Sequence, residues 1–387
     1  MVPARWVIVP SDSNALAAPP APGVGGLPPS GALAWLALQR RLAFVPERIR
    51  DRLEVGEGAD SILRTPPELP PGLLRARAVA PDRDARTLER LEARVVPFGH
   101  ADYPARLAAL ADAPPVLLVR GDPRVLSTGA VAIVGARAAT RSARSQARRF
   151  ARALAARGLT IVSGLARGID AEAHHGALEA GGRSVGVLAC GLDRIYPPEH
   201  RALAEALAVE GAVISEVPLG TSPRRELFPL RNRIISGLCR GVIVVEARRR
   251  SGSLITVRHA LDQGRDVFVL PGPTEGPFAE GSNRLLRDGA IAVTDPEDVL
   301  EDLGIGTDGE CSPTERHPDP DGLPSPPAPD GLAGRVLAVL ATGPRSRETL
   351  LVELSVGAGG LAETLLDLEL AGLVREERDG RLHRIGG

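Results

Sequence analysis

Between residues 130 and 270 one pattern repeats: an apolar run of four to six residues, then an amphipathic stretch long enough for a helix. The runs fall at 130–134, 160–163, 184–189, 212–215, 241–246 and 266–270. Helical periodicity occupies 142–156, 170–180, 199–209, 232–238 and 254–263. Continuously apolar strands separated by helices predict a parallel sheet covered on both faces. The expected fold class is α/β, a Rossmann-like doubly wound parallel sheet.

The flanks read differently. At 387 residues the chain exceeds a usual domain of about 100–200 residues, so two or three folded units are expected. Residues 1–30 are rich in Pro, Gly and Ala without a sustained period, and disorder is expected there. In 31–80 the spacing of Leu33, Trp35, Leu36, Leu38, Leu42, Phe44, Val45 and Ile49 predicts a small N-terminal helical module. The charged stretch 75–94 is expected to be helical or linking, and the Rossmann-like domain is placed at 95–303. Residues 304–330, with seven prolines among acidic side chains, read as an extended linker. In 331–387, helical stretches at 331–341, 346–354 and 361–371 precede two short alternating runs joined by Asp379-Gly380, a strong hairpin signal. Three helices and a hairpin predict a C-terminal winged-helix domain.

Composition excludes several classes. Cys190, Cys239 and Cys311 are odd in number and show no C-x-x-C spacing, which argues against a disulfide framework or a zinc knuckle and for a reducing cytoplasm. The apolar run at the N-terminus is too short for a signal peptide or a membrane span, so a soluble protein is expected. A net charge of -1 argues against a polybasic coat for nucleic acid. From Ala130 to Leu300 there are 23 arginines against 18 carboxylates, a weak local basic excess. Lysine is absent, so all 47 basic side chains are arginine. With Ala, Gly and Pro also abundant, that bias is compositional and is not in itself a phosphate-recognition signal.

In an open parallel sheet, ligands bind beyond the carboxyl ends of the strands. Four loops there stand out. Gly135-Ala136-Arg137 is a tight turn with a guanidinium above it, but it lacks the second and third glycines of a dinucleotide fingerprint. Ser163-Gly164-Leu165-Ala166-Arg167-Gly168-Ile169-Asp170 combines small residues with an acid that can cap the next helix, as an anion site would; His174 and His175, one turn on, read as packed or hydrogen-bonding residues. The segment 223–235 surrounds Phe228 with Arg224, Arg225, Arg231 and Arg233, a mixture suited to single strands, in which arginine holds phosphate and an aromatic face stacks on a base. Glu246 opens the last loop, which runs through Arg248, Arg249 and Arg250 to Ser251-Gly252-Ser253. Without lysine no Walker A loop can occur, so ATP hydrolysis is not expected, and Glu246 reads as a structural acceptor.

These loops, in this order, resemble the DNA-processing protein A (DprA/Smf) family. The resemblance rests on Ala132-Ile133-Val134-Gly135-Ala136-Arg137, the segment 163–170 with Ala173-His174, Gly191-Leu192-Asp193 and Tyr196-Pro197. It continues through Ser215-Glu216, Phe228-Pro229, the segment 231–238, Val244-Val245-Glu246-Ala247 and Ser251-Gly252-Ser253-Leu254-Ile255-Thr256. Pro271-Gly272-Pro273, Gly281-Ser282-Asn283 and Gly289-Ala290 close it, and Tyr103-Pro104 and Pro114-Pro115-Val116-Leu117 resemble the family's lead-in. The resemblance implies a cytoplasmic, homodimeric single-stranded-DNA-binding protein that protects incoming DNA and loads the RecA recombinase in natural transformation, with no catalytic residue, cofactor, metal or membrane. Carried over by position, it implies a DNA site made of Gly135, Arg137, Ser163, Gly164, Arg225, Phe228, Arg231, Asn232, Arg233, Arg250, Ser251 and Gly252. Arg250 stands where many relatives have lysine, and Cys239 where serine is common.

Three other classes fit less of the sequence. A nucleotide-processing enzyme of the phosphoribohydrolase type needs P-G-G-x-G-T-x-x-E, and the nearest text is Pro271-Gly272-Pro273-Thr274-Glu275. A nicotinamide-dependent dehydrogenase lacks its fingerprint. A winged-helix transcription regulator would prefer duplex DNA.

Overall fold

The structure, a computed structural model, describes residues 31–69, 81–275, 277–305, 332–340, 345–354 and 356, with 360–361, 364–365, 368, 374–376 and 381–384. The expectation of disorder in 1–30, nearly all of the predicted linker, residues 70–80 and the tip Asp379-Gly380 therefore lie outside the described residues. Two compact units divide between Glu310 and Cys311.

In the first unit the strands are β1 (Ala93–Pro97), β2 (Val116–Gly121), β3 (Ala130–Val134), β4 (Thr160–Ser163), β5 (Ser184–Val187), β6 (Ala212–Ser215), β7 (Gly241–Val244), β8 (Asp266–Val269) and β9 (Ile291–Ala292). They form one sheet in the order β1-β2-β6-β5-β4-β3-β7-β8-β9. Every pair from β6 through β9 is parallel. The six apolar runs are the six central strands. Three runs outlast their strands because Leu188, Val245 and Leu270 each still donate a backbone hydrogen bond to the neighbouring strand before the chain turns away.

The chain packs α1 (Ala32–Leu42), α2 (Arg50–Glu54), α3 (Ala59–Arg64), α4 (Pro81–Arg90) and α5 (Ala105–Ala108) before the parallel region. Between and after its strands come α6 (Arg141–Ala156), α7 (Ile169–Glu179), α8 (Arg201–Glu210), α9 (Leu227–Gly237), α10 (Ser253–Asp262), α11 (Glu280–Arg287) and α12 (Pro296–Asp302). Helix α9 starts five residues earlier than periodicity predicts. Pro229 looks like a break in sequence, but it falls in the first turn, where no intrahelical N–H bond is lost.

Side-chain alternation divides the core between the sheet's two faces. Ala132 and Val134 point into one cluster, and Val131 and Ile133 point into the other with Phe150 and Phe268. An antiparallel extension lies at one edge, β2 against β6 and β1 against β2. Apolar-run reading misses β1 because it carries Arg94 and alternates in burial, whereas β2 is itself a buried apolar run, Val116 to Val119. Trp35, Leu38, Leu42, Ile49 and Ile62 of the N-terminal helices share a core with Leu117 and Leu118 of β2. Gln39 Nε2 donates to the Glu216 carbonyl at 3.0 Å, and Arg50 donates to the carbonyls of Leu110 and Ala108 at 2.7 and 2.6 Å.

The second unit contains α13 (Leu332–Leu340), β10 (Arg345–Ser346), α14 (Arg347–Leu354), β11 (Val374–Glu376) and β12 (Arg381–Arg384). Its strands pair antiparallel in the order β10-β12-β11, and residues 360–361, 364–365 and 368 are helical. Val336, Leu350, Leu365, Val374 and Leu382 form its core. This is the helix and hairpin arrangement expected of a winged helix. Among the described residues no helix is long and apolar enough to cross a membrane.

Candidate nucleic-acid interface

Strand order reverses at β3: β4, β5 and β6 succeed it on one side, β7, β8 and β9 on the other. Loops leaving β3 and β7 must therefore part in opposite directions, which opens a crevice at their carboxyl ends. A groove of about 970 Å³ lies there, lined by residues after both strands and by α9. Six arginines line it, Arg137, Arg224, Arg225, Arg231, Arg248 and Arg250, against the single carboxylate of Asp170.

The rim is exposed. Arg137 leaves the β3 turn and lies over the ring of Phe228, with its guanidinium carbon 4.8 Å from the centroid. Phe228 enters from the first turn of α9 and meets Tyr196 edge to face, centroids 6.0 Å apart at 68°. Tyr196, Arg224 and Arg248 also line the groove; none is among the positions carried over from the family, although Arg224 and Arg248 lie in the two basic loops singled out in the sequence. Tyr196 was detectable as one of only two tyrosines, within a motif already quoted for the family. Arg225, Arg250, Ser251 and Gly252 stand on the rim as expected, and Asn232 ties α9 to it through Nδ2 and the Gly252 carbonyl at 3.4 Å. Ser251 and Ser253 share a hydroxyl contact of 2.7 Å, and the amides that open α10 are engaged locally: Ser253 donates to the Ser251 hydroxyl at 3.4 Å, Leu254 to the Ser251 carbonyl at 3.2 Å and Ile255 to the Gly252 carbonyl at 3.1 Å. The arginine triplet is split three ways. Arg248 lies 4.5 Å over Phe278, Arg249 pairs with Glu280 at 3.7 Å, and Arg250 faces the groove.

The floor is buried, and here the structure corrects the sequence reading. Asp170 does not cap α7. It lies in that helix's first turn and accepts from the backbone of Gly164 and Ala166 at 3.1 and 3.4 Å. Those two amides are thus already occupied, and the loop is a braced turn in place of an open anion cradle. The brace holds Leu165 at φ +55, and Gly168 turns at φ +78 where a Cβ would lie 2.4 Å from the Ala136 carbonyl oxygen. Ser163 is fully buried and donates to the Ile133 carbonyl at 2.6 Å, so its hydroxyl does not reach the groove. Gly164 is covered by Arg231, whose Nη1 would lie 1.5 Å from a Cβ there. Gly135 lines the groove close against Ile169.

Arg231 forms part of the floor at 4% exposure, donating Nη1 to the Val187 carbonyl at 3.2 Å. Its Nε finds no partner among the described residues. Burial lowers its pKa to about 10, against the favourable field of Asp170. Burial likewise raises the Asp170 carboxyl, opposed by Arg231. Arg233 is not brought to the groove. Two residues along α9 it points elsewhere, into a buried pair with Glu216 at 2.5 Å and towards Asp112 at 3.2 Å. Burial raises the Glu216 carboxyl in spite of that guanidinium, as expected where desolvation outweighs Coulomb attraction.

The remaining candidates are structural. His174 is fully buried, with Nδ1 2.7 Å from the Ser184 hydroxyl, and desolvation lowers its pKa to about 3. Glu246 accepts from the backbone and hydroxyl of Thr140 at 3.1 and 2.7 Å, which ties the β7 loop to the start of α6.

Residues 94–304 match the family model of DNA recombination-mediator protein A, and residues 318–380 match that of the DprA winged helix domain. The chain belongs to the DNA recombination-mediator protein A family. It is 48% identical to Protein Smf of Escherichia coli over 220 residues, covering 57% of this chain and 59% of that protein, less than two thirds of the latter's length. It is 38% identical to a DNA processing protein DprA of Mycobacterium tuberculosis over 283 residues, 72% and 70% of the two chains. Among solved structures, DNA processing protein A from Streptococcus pneumoniae matches at 32% identity and a TM-score of 0.58, covering 70% of this chain and 98% of that one. DNA processing protein A from Helicobacter pylori, described as having a unique single-stranded DNA binding mode, matches at 30% identity and a TM-score of 0.50, over 55% and 95%.

Proposed function

We propose that the groove binds single-stranded DNA, with Arg137, Arg225 and Arg250 on phosphates and Phe228 beneath an unstacked base. One observation carries this reading: Phe228 is held between Arg137 and Tyr196 inside a groove lined by six arginines and one carboxylate. An aromatic platform beside guanidiniums suits single strands, whose bases are free to stack, and does not suit a duplex, whose bases are already stacked. On binding, Arg137 would leave the Phe228 ring for a phosphate and free that face for a base.

In this reading the chain is a cytoplasmic, homodimeric mediator that shields single-stranded DNA and loads RecA during transformation and recombination, without a catalytic step. Family membership supports that wider role, as does the Helicobacter pylori relative described as binding single-stranded DNA. An electrophoretic shift comparing single-stranded with duplex DNA tests the binding, and RecA strand exchange on strands coated with a single-strand-binding protein tests the loading. Preference for single strands and faster exchange are expected. Preference for duplex would move the reading to a winged-helix regulator. Nucleotide hydrolysis that disappears on Glu246→Gln would move it to the phosphoribohydrolase class.

A further inference from the structure

A second basic groove, of about 660 Å³, lies between α4, the loop at Asp193-Arg194 and the loop 219–224. Its arginines include Arg83, Arg86, Arg90, Arg194 and Arg224. Arg83, Arg86 and Arg90 follow the i, i+3, i+7 spacing of one helix face, a stripe about 10 Å long at 1.5 Å per residue. All three are exposed. The two carboxylates of this groove are already engaged. Asp84 takes the forked guanidinium of Arg40, which also donates to the Leu219 carbonyl at 3.1 Å, and Asp193 accepts from the backbone of Gly220 at 2.8 Å. Asp82 and Glu89 are exposed on α4 but do not line the groove. The Arg40–Asp84 contact fixes α4 to α1, and Leu88 buries its inner face, so the arginine stripe sits on a rigid support.

Arg224 lines this groove and the central one alike. We propose that the two are one track: a single strand held at Phe228 passes Arg224 and lays its next phosphates along Arg86, Arg83 and Arg90. The inference rests on the single-strand reading of the central groove and adds to it a length-dependent extension made by α4, which lies outside the residues of the family match. The ligand chemistry is the phosphodiester backbone. No aromatic side chain lines the second groove, so it would hold the strand without stacking and without base preference.

The test compares the full chain with the triple variant Arg83→Ala, Arg86→Ala, Arg90→Ala, using fluorescence anisotropy at several salt concentrations. One labelled strand is about 6 nucleotides long, and the other well exceeds the roughly 4–16 nucleotides that a typical single-strand-binding fold covers. The wild type should bind the long strand more tightly and with a steeper salt dependence. The variant should bind the short strand as the wild type does, lose about tenfold on the long one, and lose about 2 from the long-strand salt slope, at roughly 0.7 per phosphate contact. Equal long-strand binding by variant and wild type overturns the extension, and so does an equal loss on both lengths. Arg86→Glu alone, which adds repulsion at the centre of the stripe, should reproduce the long-strand loss. A wild-type chain that binds neither length overturns the single-strand reading and this inference together.

Discussion

The rim of the central groove and the buried layer of α9 draw on the same residue type for opposite purposes. Arg137, Arg225 and Arg250 stand exposed on loops, whereas Arg231 and Arg233 are each 4% exposed within one helix. The buried arginines are bound by what surrounds them: a carbonyl and the field of Asp170 for Arg231, the carboxylates of Glu216 and Asp112 for Arg233. Rim arginines have the groove before them. A basic stretch in sequence thus contains two populations, one that sets stability and one free to meet a ligand.

The largest expected effect tests the buried layer. Glu216→Ala leaves the Arg233 guanidinium buried opposite Asp112 alone, and breaking such a pair costs about 3–5 kcal/mol. Urea denaturation should show that loss, while the salt slope of DNA binding by the folded fraction stays unchanged. Unaltered stability with a reduced slope would place Arg233 on the DNA and erase the distinction.

On the rim, Phe228→Leu should cost about 1–3 kcal/mol of single-strand affinity at an unchanged melting temperature and salt slope, because stacking releases no counterions. Normal affinity in that variant would return Phe228 to a packing role against Leu227 and Val217.

Acid should act on the buried layer through His174. Its pKa falls from an ordinary 6.5 to about 3 in the folded chain, so between those values the unfolded chain binds the extra proton and stability falls as pH falls. The loss should reach about 2 kcal/mol by pH 5. Asp170 and Glu216, both raised by burial, act with the opposite sign, since stability from a raised carboxyl is lost as pH rises. The wild type should therefore be compared with His174→Asn across pH 5–7; parallel stability curves would show that His174 is not the titrating group.

The smallest expected effect belongs to a single rim charge. Arg137→Ala should weaken binding and flatten its salt dependence by roughly 0.7 while leaving the melting temperature in place. A fold loss without a slope change would make Arg137 a brace for Phe228 and nothing more.

Much of this was legible in the sequence because its physics is local. Apolar runs of strand length, helices between them and small-residue turns after them placed the six central strands and the loops that form the groove. Strand β1 was hidden by its alternating burial, and the start of α9 by a proline that a first turn tolerates; β2, a buried apolar run like the six, was simply not counted with them. Of the site, Gly135, Arg137, Arg225, Phe228, Arg231, Asn232, Arg250, Ser251 and Gly252 converge on one groove. Ser163 and Arg233 do not, and Gly164 lies beneath the Arg231 guanidinium.

By itself, then, the sequence determined a doubly wound sheet with its loops gathered at one end, since hydrophobic period and turn chemistry are written in neighbouring residues. Only the tertiary structure decided which charges face that end. Arg231 and Arg233 are two positions apart, so roughly 200° separates them around a helix of 3.6 residues per turn. What each meets there is brought from elsewhere in the chain: Gly164 and Val187 for one, Asp112 and Glu216 for the other. A buried guanidinium is held by groups that folding alone makes its neighbours, and no local spacing records them.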